Sequence, residues 1–554
     1  MWNLEPEIGQ SLEAAIPGIF DGQRPNGQFG TDPWICHDQH HIFALAAAWA
    51  LEEGRYFHDD RLLDAIIAGG DALMEQYDDV GMWTFRKKDG STWGQVYMPW
   101  TYSRWIRCYG LVRDSFSTEA RDRWDGALTL GFEGIASTCL ERVHNIPAHH
   151  AMALYRAGEV LGRMEWCNTA SEFMASVVKE QSQYGWWTEH VGPVVVYNFV
   201  YVDALGVYYV MSGDENVLPA LERAAQFHSD WVYPNGSIVE TIDERNPYRP
   251  AVSLGNPGFS LSDVGRGFLK QQHRRHIESA DGDDPVFDTD YAANMILYCQ
   301  SGESTPPAGG QDRSVCPMGD KALTVRRRPW FVGLSAFTAE VPENRWIQDR
   351  QNFVSVFHDE TGLIVGGGNT KLQPLWSSFS VGDTSLLKHA PGDEEPQFRP
   401  DGDLLHVPDD VAITSDASEP KISLRYGDVW CYVHLSLDSD DRLELRYGCD
   451  ETLGQNVEAH LVLMPNVDEP LVLPTGDSVD LFGDRVEIDC GDGGDIEHLG
   501  WRVSLPSGAR IIWPALPHNP YRKAGDAEIT EGRVVVAMSL SDSEPEREVA
   551  IKLR

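Results

Sequence analysis

Three histidines and an asparagine stand within seven residues of the chain, at His144, Asn145, His149 and His150. Asparagine and histidine side chains hydrogen-bond anions, and a protonated imidazole can also neutralise one. The four-residue step from Asn145 to His149 places both side chains on one face of a helix's first turn. The segment therefore predicts an anion-binding site. Ordinary capping and loop residues are the alternative, whereas a metal site lacks the HExxH pattern and a carboxylate at a matching step.

A second group of polar and aromatic residues precedes and begins another predicted helix, which carries Tyr197 and Tyr201 on one face. Tyrosine can transfer a proton in catalysis when nearby cations lower the pKa of its phenol. Helical tyrosines are more often core residues, but a position at the start of a helix favours a chemical role. The residues of this segment that are predicted to contact a ligand are Trp187, Glu189, His190, Asn198 and Tyr201.

Further candidate ligand contacts lie elsewhere in the chain. One loop that contains Pro and Gly carries Glu240, Asp243, Arg245 and Tyr248, which predict a binding edge or else a solvated charged loop. Sugar rings stack on flat aromatic faces, and tryptophans crowd the first 200 residues. The tryptophans on predicted loops are the better candidates for such stacking: Trp34, Trp93 and Trp186. His37 lies in another polar cluster that opens a helix.

The charge balance limits the partners that the protein can have. The 554 residues include 85 Asp and Glu against 45 Lys and Arg, a net charge of −40, and only ten of the basic residues are lysines. Such a surface repels nucleic acid and anionic membranes, so neither is expected as a partner. High net negative charge with few lysines is typical of proteins adapted to molar salt. We therefore expect a halophilic cytosol.

The remaining compositional features agree with a large reduced protein. Nine cysteines are scattered singly without CxxC pairs, which favours free thiols over a disulfide frame. No run of eighteen apolar residues indicates a membrane span, and the first residues show no export signal. A cytoplasmic location is therefore expected, and homo-oligomerisation stays open.

The periodicity of apolar residues divides the chain into two domains. Over residues 1–300 apolar side chains recur at three- and four-residue steps, and the helices fall in pairs spaced by about 45 to 60 residues. This pattern predicts an incomplete (α/α) toroid of helical hairpins. Residues 301–320 are rich in Pro, Gly and Ser and read as a linker. Residues 321–554 show short alternating segments between turns, which predict an antiparallel β-sandwich.

Several of these segments together resemble the heparinase II/III-like polysaccharide lyases and their alginate-lyase relatives. The stretches that are similar to the family are 145–154, 197–205 and, in the β-domain, 362–379. The sequence departs from the family in three ways. His144 precedes Asn145 where the family has Asn first, Asn198 stands where a histidine is common, and the β-domain HxHxD pattern is absent. His358 or His389 could supply that histidine.

The resemblance implies cleavage of uronic-acid polysaccharides by β-elimination, with no cofactor required and a structural metal left open. Asn145 with His149 or His144 would hydrogen-bond the uronate carboxylate, and Tyr197 would act as base, acid or both. Oligosaccharides are the expected substrates in a cytosol. Two other functions stay open: a glycoside hydrolase that uses Glu189 and Asp243 as its carboxylate pair, and a carbohydrate-binding protein without catalysis.

Overall fold

The chain folds into two compact units, and each unit draws on separated stretches of sequence. The helical unit comprises Met1–Trp187, Val196–Phe227 and Leu254–Thr305. The sandwich unit comprises Thr188–Val195, His228–Ser253 and Pro306–Arg554. A computed structural model of the protein describes residues 1–87, 90–245, 251–280, 285–366, 368–386, 392–393, 396–399, 403–414, 419–437 and 439–553.

Within these ranges the chain forms eleven α-helices and one exposed hairpin before residue 300 that belongs to the helical unit. The helices are α1 (Pro6–Gly22), α2 (His41–Ala50), α3 (Asp60–Met74), α4 (Pro99–Val112), α5 (Thr118–Thr138), α6 (Asn145–Leu161), α7 (Met164–Glu180), α8 (Val195–Ser212), α9 (Leu218–Asp230), α10 (Asp263–Ser279) and α11 (Thr289–Tyr298). The hairpin is β1 (Trp83–Arg86) with β2 (Thr92–Val96).

Local sequence signals fix where several of these helices begin and end. The side chain of Ser117 accepts a hydrogen bond from the Ala120 N–H at the start of α5, and Asp288 caps α11 in the same way. These caps satisfy backbone N–H groups that have no partner within the helix. Gly162 ends α6 with a φ of 69°, a left-handed conformation that suits glycine.

The helices alternate between two layers, as the toroid prediction requires. Helix α4 packs against both α2 and α6, whereas α3 packs on α2 and α7 on α6 from the other layer. Helix α11 packs on both α1 and α2. Because the helices of one layer are two apart along the chain, they run in the same direction and their N-termini share one edge of the layer. The predicted toroid fold is confirmed.

Most tryptophans of the helical unit are core residues. Trp83, Trp105 and Trp124 are buried, and Trp105 meets Trp124 edge to face with ring centroids 5.7 Å apart. Gly70 of α3 lies so close to Trp124 that a Cβ there would be 2.0 Å from the indole ring. The aromatic density of this region therefore serves packing first, and only the partly exposed tryptophans can serve a ligand.

Helix α8 has the length and composition of a membrane-spanning segment, with a mean hydropathy of 1.2 over its 18 residues. Half of that window is buried inside the fold. The core helix of a globular protein passes the same test, and α8 is packed as such a helix.

The sandwich unit contains a two-stranded hairpin and two large antiparallel sheets. The hairpin pairs β3 (Thr188–Glu189) with β4 (Gly192–Pro193). The other strands are β5 (Arg313–Met318), β6 (Ala322–Arg327), β7 (Trp330–Ser335), β8 (Val354–His358), β9 (Gly362–Val365), β10 (Phe379–Gly382), β11 (Leu404–Leu405), β12 (Asp410–Thr414), β13 (Lys421–Tyr426), β14 (Val429–Ser436), β15 (Arg442–Cys449), β16 (Val457–Leu463), β17 (Leu471–Val472), β18 (Ser478–Val479), β19 (Val486–Asp489), β20 (Gly494–His498), β21 (Trp501–Leu505), β22 (Arg510–Ala515), β23 (Arg533–Leu540) and β24 (Glu546–Leu553).

The two sheets enclose one apolar core between them. The first has the order β19-β22-β23-β16-β9-β8-β7-β6-β5, with β10 and β11 beside β16, and the second the order β12-β13-β14-β15-β24-β21-β20-β17-β18. Strands such as β14 alternate buried and partly exposed residues, and the buried side chains of both sheets form one cluster. This is the predicted β-sandwich, since sheets pack through their apolar faces.

The domain boundaries differ from the predicted ones. The predicted linker 301–320 contains strand β5, and the sandwich unit begins its last segment at Pro306. Residues 188–195 and 228–253 were expected in the toroid but pack with the sandwich. Local composition marks turns and breaks, whereas membership of a unit depends on contacts with residues far along the chain.

Candidate functional site

The N-terminal ends of α4 and α6 meet the histidine-rich turn that precedes α2. His40 Nε2 lies 3.2 Å from the Thr101 hydroxyl of α4, and the His149 ring of α6 stacks on Trp100 with centroids 5.5 Å apart. Two polar segments, 36–41 and 144–150, are more than a hundred residues apart in the chain and converge on one edge of the helical unit, which we call the histidine edge. Trp100 supplies the aromatic face between them.

His149 is a buried and neutral imidazole. Its side chain is 1% exposed, and neither ring nitrogen has a hydrogen-bond partner among the described residues. Burial lowers its pKa well below the usual range, and the nearby charges of Arg104 and Arg107 lower it further. His149 is therefore suited to hydrogen-bond a ligand as a neutral group. It does not provide the positive charge that the sequence had allowed for.

Two arginines of α4 supply positive charge beneath these histidines. Arg104 forms a bidentate ion pair with Asp290 of α11, with its Nε 2.8 Å from Oδ1. Arg107 donates from Nη1 to the Asn294 Oδ1 at 2.6 Å, and Asn294 in turn donates to Asp203 of α8 at 2.8 Å. This network ties α4, α8 and α11 together at one level of the unit.

The other predicted residues at this edge are less deeply buried or are already paired. Asn145 is buried at the first turn of α6, and its Nδ2 lies 3.1 Å from Nδ1 of His144. His37 is partly exposed, and burial together with the charge of Arg104 lowers its pKa to about 4. Asn145 and His144 therefore form one hydrogen-bonded pair, and His37 is a partly exposed histidine of the same edge.

Tyr197 stands in the first turn of α8 and is partly exposed. Tyr208 of α8 contacts Tyr155 of α6 edge to face, with ring centroids 5.1 Å apart. Helices α6 and α8 are two apart along the chain, so they run in the same direction. Tyr197 lies eleven residues before Tyr208 in α8, and His144 lies eleven residues before Tyr155 at the start of α6. At 1.5 Å of rise per residue, Tyr197 and His144 therefore lie at the same height along the two helices. The start of α8 therefore lies at the same height as the start of α6.

Three residues that were predicted to contact a ligand are interior residues instead. Trp187 and Tyr201 are buried and stack on each other, with centroids 4.7 Å apart, and the Trp187 indole N–H donates to the Val177 carbonyl. Asn198 is buried and accepts a hydrogen bond from the Trp187 N–H at 3.2 Å. Together they tie the chain before the β3–β4 hairpin to the first turns of α8.

Trp93 is the most exposed tryptophan of those predicted to bind sugar, with 72% of its surface accessible. It stacks on Phe85 across the β1–β2 hairpin at 4.4 Å, and the Lys87 ammonium lies 4.8 Å from its ring centroid. Among the described residues, Trp93 contacts only groups of its own hairpin in the ring contacts named above, so it remains a separate candidate for stacking.

The candidates in the sandwich unit are mostly buried. Glu189 in β3 and Glu240 are buried, and Glu240 accepts a hydrogen bond from the Tyr233 hydroxyl at 2.8 Å. His190 is exposed at the turn of the β3–β4 hairpin, and Arg245 donates to the Tyr521 hydroxyl at 3.2 Å. Tyr248 lies outside the described residues, as does His389.

Three residues at this edge were not predicted from the sequence: Trp100, Arg104 and Arg107. The first two are four residues apart at the start of a helix that was predicted correctly, so their shared face could have been inferred. The sequence could not show that these residues lie beside the histidines, because that proximity depends on how α4 packs. No described group of three or more His, Cys, Asp or Glu side chains is arranged to hold a metal ion.

The neutral histidines predict a pH dependence of stability. The pKa values of His37 and His150 fall to about 4 and that of His149 falls well below its ordinary value of 6.5, which is the value in the unfolded chain. Because the folded protein holds these imidazoles neutral, their contribution to the free energy of unfolding is complete above pH 6.5 and is lost as the pH falls toward 4. For one buried histidine the loss between pH 6.5 and pH 5 is about 2 kcal/mol. We expect these histidines to lower the thermal unfolding temperature from pH 7.5 to pH 5, whereas the raised pKa values of Asp243 and Glu244 act in the opposite direction.

A matched pair of variants assigns that drop to the histidine edge. His149→Gln removes one titrating group and is expected to unfold with a smaller difference between the two pH values. His434→Gln, in strand β14, should behave as the wild type does. An equal drop in all three proteins would show that His149 does not contribute.

Comparison with solved structures identifies the class of fold: an (α/α) toroid with an antiparallel sandwich, as in polysaccharide lyases of the chondroitinase and heparinase type. A chondroitinase AC lyase matches with a TM-score of 0.56 and 9% identity, covering 99% of this chain and 82% of that one. The chondroitin AC lyase of Streptomyces coelicolor A3 in complex with chondroitin sulphate matches with a TM-score of 0.51 and 13% identity, covering 100% and 80%. A heparan sulfate lyase mutant from Pedobacter heparinus matches at 0.51 and 8%, covering 100% and 83%.

These likenesses confirm the fold that the resemblance predicted, and their low identity limits them to the fold. No protein-family model and no curated protein matches the sequence. The function must therefore be argued from the residues at the site.

Proposed function

We propose that this protein is a polysaccharide lyase that cleaves uronic-acid-containing poly- or oligosaccharides by β-elimination. One arrangement carries the proposal: the first turns of α4 and α6 bring an aromatic face, an Asn–His pair and an imidazole with no hydrogen-bond partner among the described residues to one edge, and the residue count along α8 places the partly exposed Tyr197 at the same height. The lyase fold of the solved structures supports the same assignment.

The elimination needs help at two atoms, and the proposed site offers groups for both. Removal of the C5 proton pushes charge onto the neighbouring carboxylate, so hydrogen-bond donors there stabilise the enolate-like state. Asn145 and the neutral His149 would donate to that carboxylate, and Arg104 and Arg107 would add positive potential. Tyr197 would take the C5 proton and would protonate the leaving O4, which requires no water.

The hydrolase alternative is less well supported. It would use Glu189 and Asp243 as its carboxylate pair, and the Asp243 carboxylate is already engaged by the backbone. The two carboxylate oxygens of Asp243 accept the backbone N–H groups of Val195 and Arg245 at 3.1 and 2.8 Å. A carboxylate that is committed to backbone groups in this way serves structure rather than proton transfer to a sugar.

The nature of the product tests the proposal directly. Incubation with a panel of uronic-acid polymers and oligosaccharides should produce an unsaturated sugar, whose C4–C5 double bond absorbs ultraviolet light. A neutral glucan, which lacks the carboxylate, should give no such signal. Saturated products would indicate a hydrolase, and sugar binding without turnover would indicate a carbohydrate-binding protein.

A further inference from the structure

The β3–β4 hairpin of the sandwich unit comes immediately before α8, the helix that carries Tyr197, and has a constrained turn. His190 at this turn has a φ of 52°, a left-handed conformation that residues other than glycine seldom adopt. The turn is only two residues long, so a displacement of either strand changes the direction in which His190 projects. Groups that hold the hairpin therefore also fix the chain that enters α8.

Two buried carboxylates hold this hairpin through its backbone. The Val191 N–H donates to Oε2 of Glu244 at 3.2 Å, and the Val195 N–H donates to Oδ2 of Asp243 at 3.1 Å. These hydrogen bonds lie on either side of β4. They fix the residues that lead, two positions later, to Tyr197.

A buried arginine lies against the same hairpin. Nη1 of Arg350 donates to the Ile242 carbonyl at 3.0 Å, and Nη2 lies 3.7 Å from Oε2 of Glu244. A Cβ at Gly192 would be 2.8 Å from Nη2, so a larger residue there would require the guanidinium to shift. Glu244 and Arg350 are 0% and 2% exposed.

We infer that Glu244 is a positioning residue: with Arg350 it clamps the β3–β4 hairpin, and the charge of its carboxyl group sets how firmly the residues before Tyr197 are held. The consequence for catalysis rests on the proposed lyase function. The clamp itself rests only on the contacts within the sandwich unit.

The surrounding charges make this clamp sensitive to pH. Glu244 faces one cation, Arg350, and two other acids, Asp243 and Glu189. Burial raises the pKa of Glu244 to about 7; Arg350 opposes this and the two acids add to it. When the hairpin opens, the carboxyl group regains its ordinary pKa of 4.5. The free energy needed to open the hairpin therefore falls as the pH rises toward 7, and it stays constant at higher pH.

Hydrogen exchange of the hairpin amides, corrected for the intrinsic pH dependence of exchange, measures this opening. In the wild type, protection of a peptide spanning residues 188–196 should fall by about tenfold between pH 6 and pH 7.5. Glu244→Gln keeps the shape of the side chain but cannot ionise. In this variant the protection of the same peptide should fall by at most about twofold, because only the raised pKa of Asp243 still contributes to the pH dependence. Glu451→Gln, at an exposed acid of the same unit, should follow the wild type.

The same exchange data control for folding, because peptides from β16 should keep equal protection in all three proteins. Equal pH dependence of the hairpin in the wild type and Glu244→Gln would overturn the inference. Turnover of a uronide gives a second measurement: the ratio of kcat for Glu244→Gln to kcat for the wild type should rise from pH 6 to 7.5, and a constant ratio would refute the positioning role. If the pH dependence of hairpin exchange requires Glu244 but no unsaturated product forms, the clamp is supported and the lyase function is rejected.

Discussion

Tyr197→Phe is expected to lower kcat for uronide elimination by about 10²–10⁴-fold, because general acid–base catalysis by one side chain contributes that much. The change removes a single hydroxyl from a partly exposed side chain, so folding and aromatic packing should be retained. An effect on kcat with little change in KM would show that the hydroxyl acts in the transition state. The measurement is the initial rate of ultraviolet absorbance, together with the unfolding temperature.

Two further variants make this result specific. Tyr209→Phe removes a hydroxyl from the same helix, twelve residues further along, and should keep wild-type turnover. Glu189→Gln should reduce activity less than Tyr197→Phe in a lyase, and the ranking reverses in a hydrolase that uses Glu189. The lyase mechanism is refuted if Tyr197→Phe turns over uronides at the wild-type rate.

The second large effect concerns salt. In dilute buffer the mutual repulsion of 40 uncompensated negative charges should loosen the fold, and molar KCl should screen it, since the Debye length there is about 3 Å. We expect the unfolding temperature to rise by the order of 10 °C between low salt and 2 M KCl, which corresponds to several kcal/mol for units of this size.

A nonionic solute separates charge screening from general solvent effects. Sucrose at the water activity of 2 M KCl should stabilise the protein less than the salt does, because it screens no charge. An unchanged unfolding temperature and full activity in dilute buffer would contradict adaptation to a salt-rich cytosol, which we propose on the strength of the charge balance and the scarcity of lysine.

Patterns with a short repeat predicted the fold well. Alternation along β13 and β14 and the three- to four-residue steps of helices such as α3 are local consequences of which side chains face the core. Strand β5 was missed because it lies among Pro, Gly and Ser residues that are typical of a linker.

The candidate site was predictable in its residue types but not in its geometry. Asn145 and His149 were found because their spacing fits one helical turn, and Tyr197 because it begins a helix. The sequence did not distinguish Trp187 from Trp100, since both are aromatic residues near a helix start. Only packing shows that Trp187 is sealed under Tyr201 whereas Trp100 stacks on His149.

The way in which the chain is divided between the two units has a consequence for synthesis on the ribosome. The sandwich contains residues 188–195 and 228–253, which emerge well before its strands from residue 306 onward. These early segments carry the buried carboxyl groups of Asp243 and Glu244, whereas their partner Arg350 is made about a hundred residues later. Long-range contacts of this kind close slowly.

The sandwich therefore cannot form until the residues from 306 onward join its two early segments, whereas all residues of the helical unit precede residue 306. A fragment that ends near residue 300 would leave the carboxylates of the clamp without their guanidinium, and a fragment that begins at residue 306 would lack the hairpin that covers Arg350. The two units are thus not interchangeable modules that could be exchanged by cutting once between toroid and sandwich. Recombination of this fold would have to transfer three chain segments together.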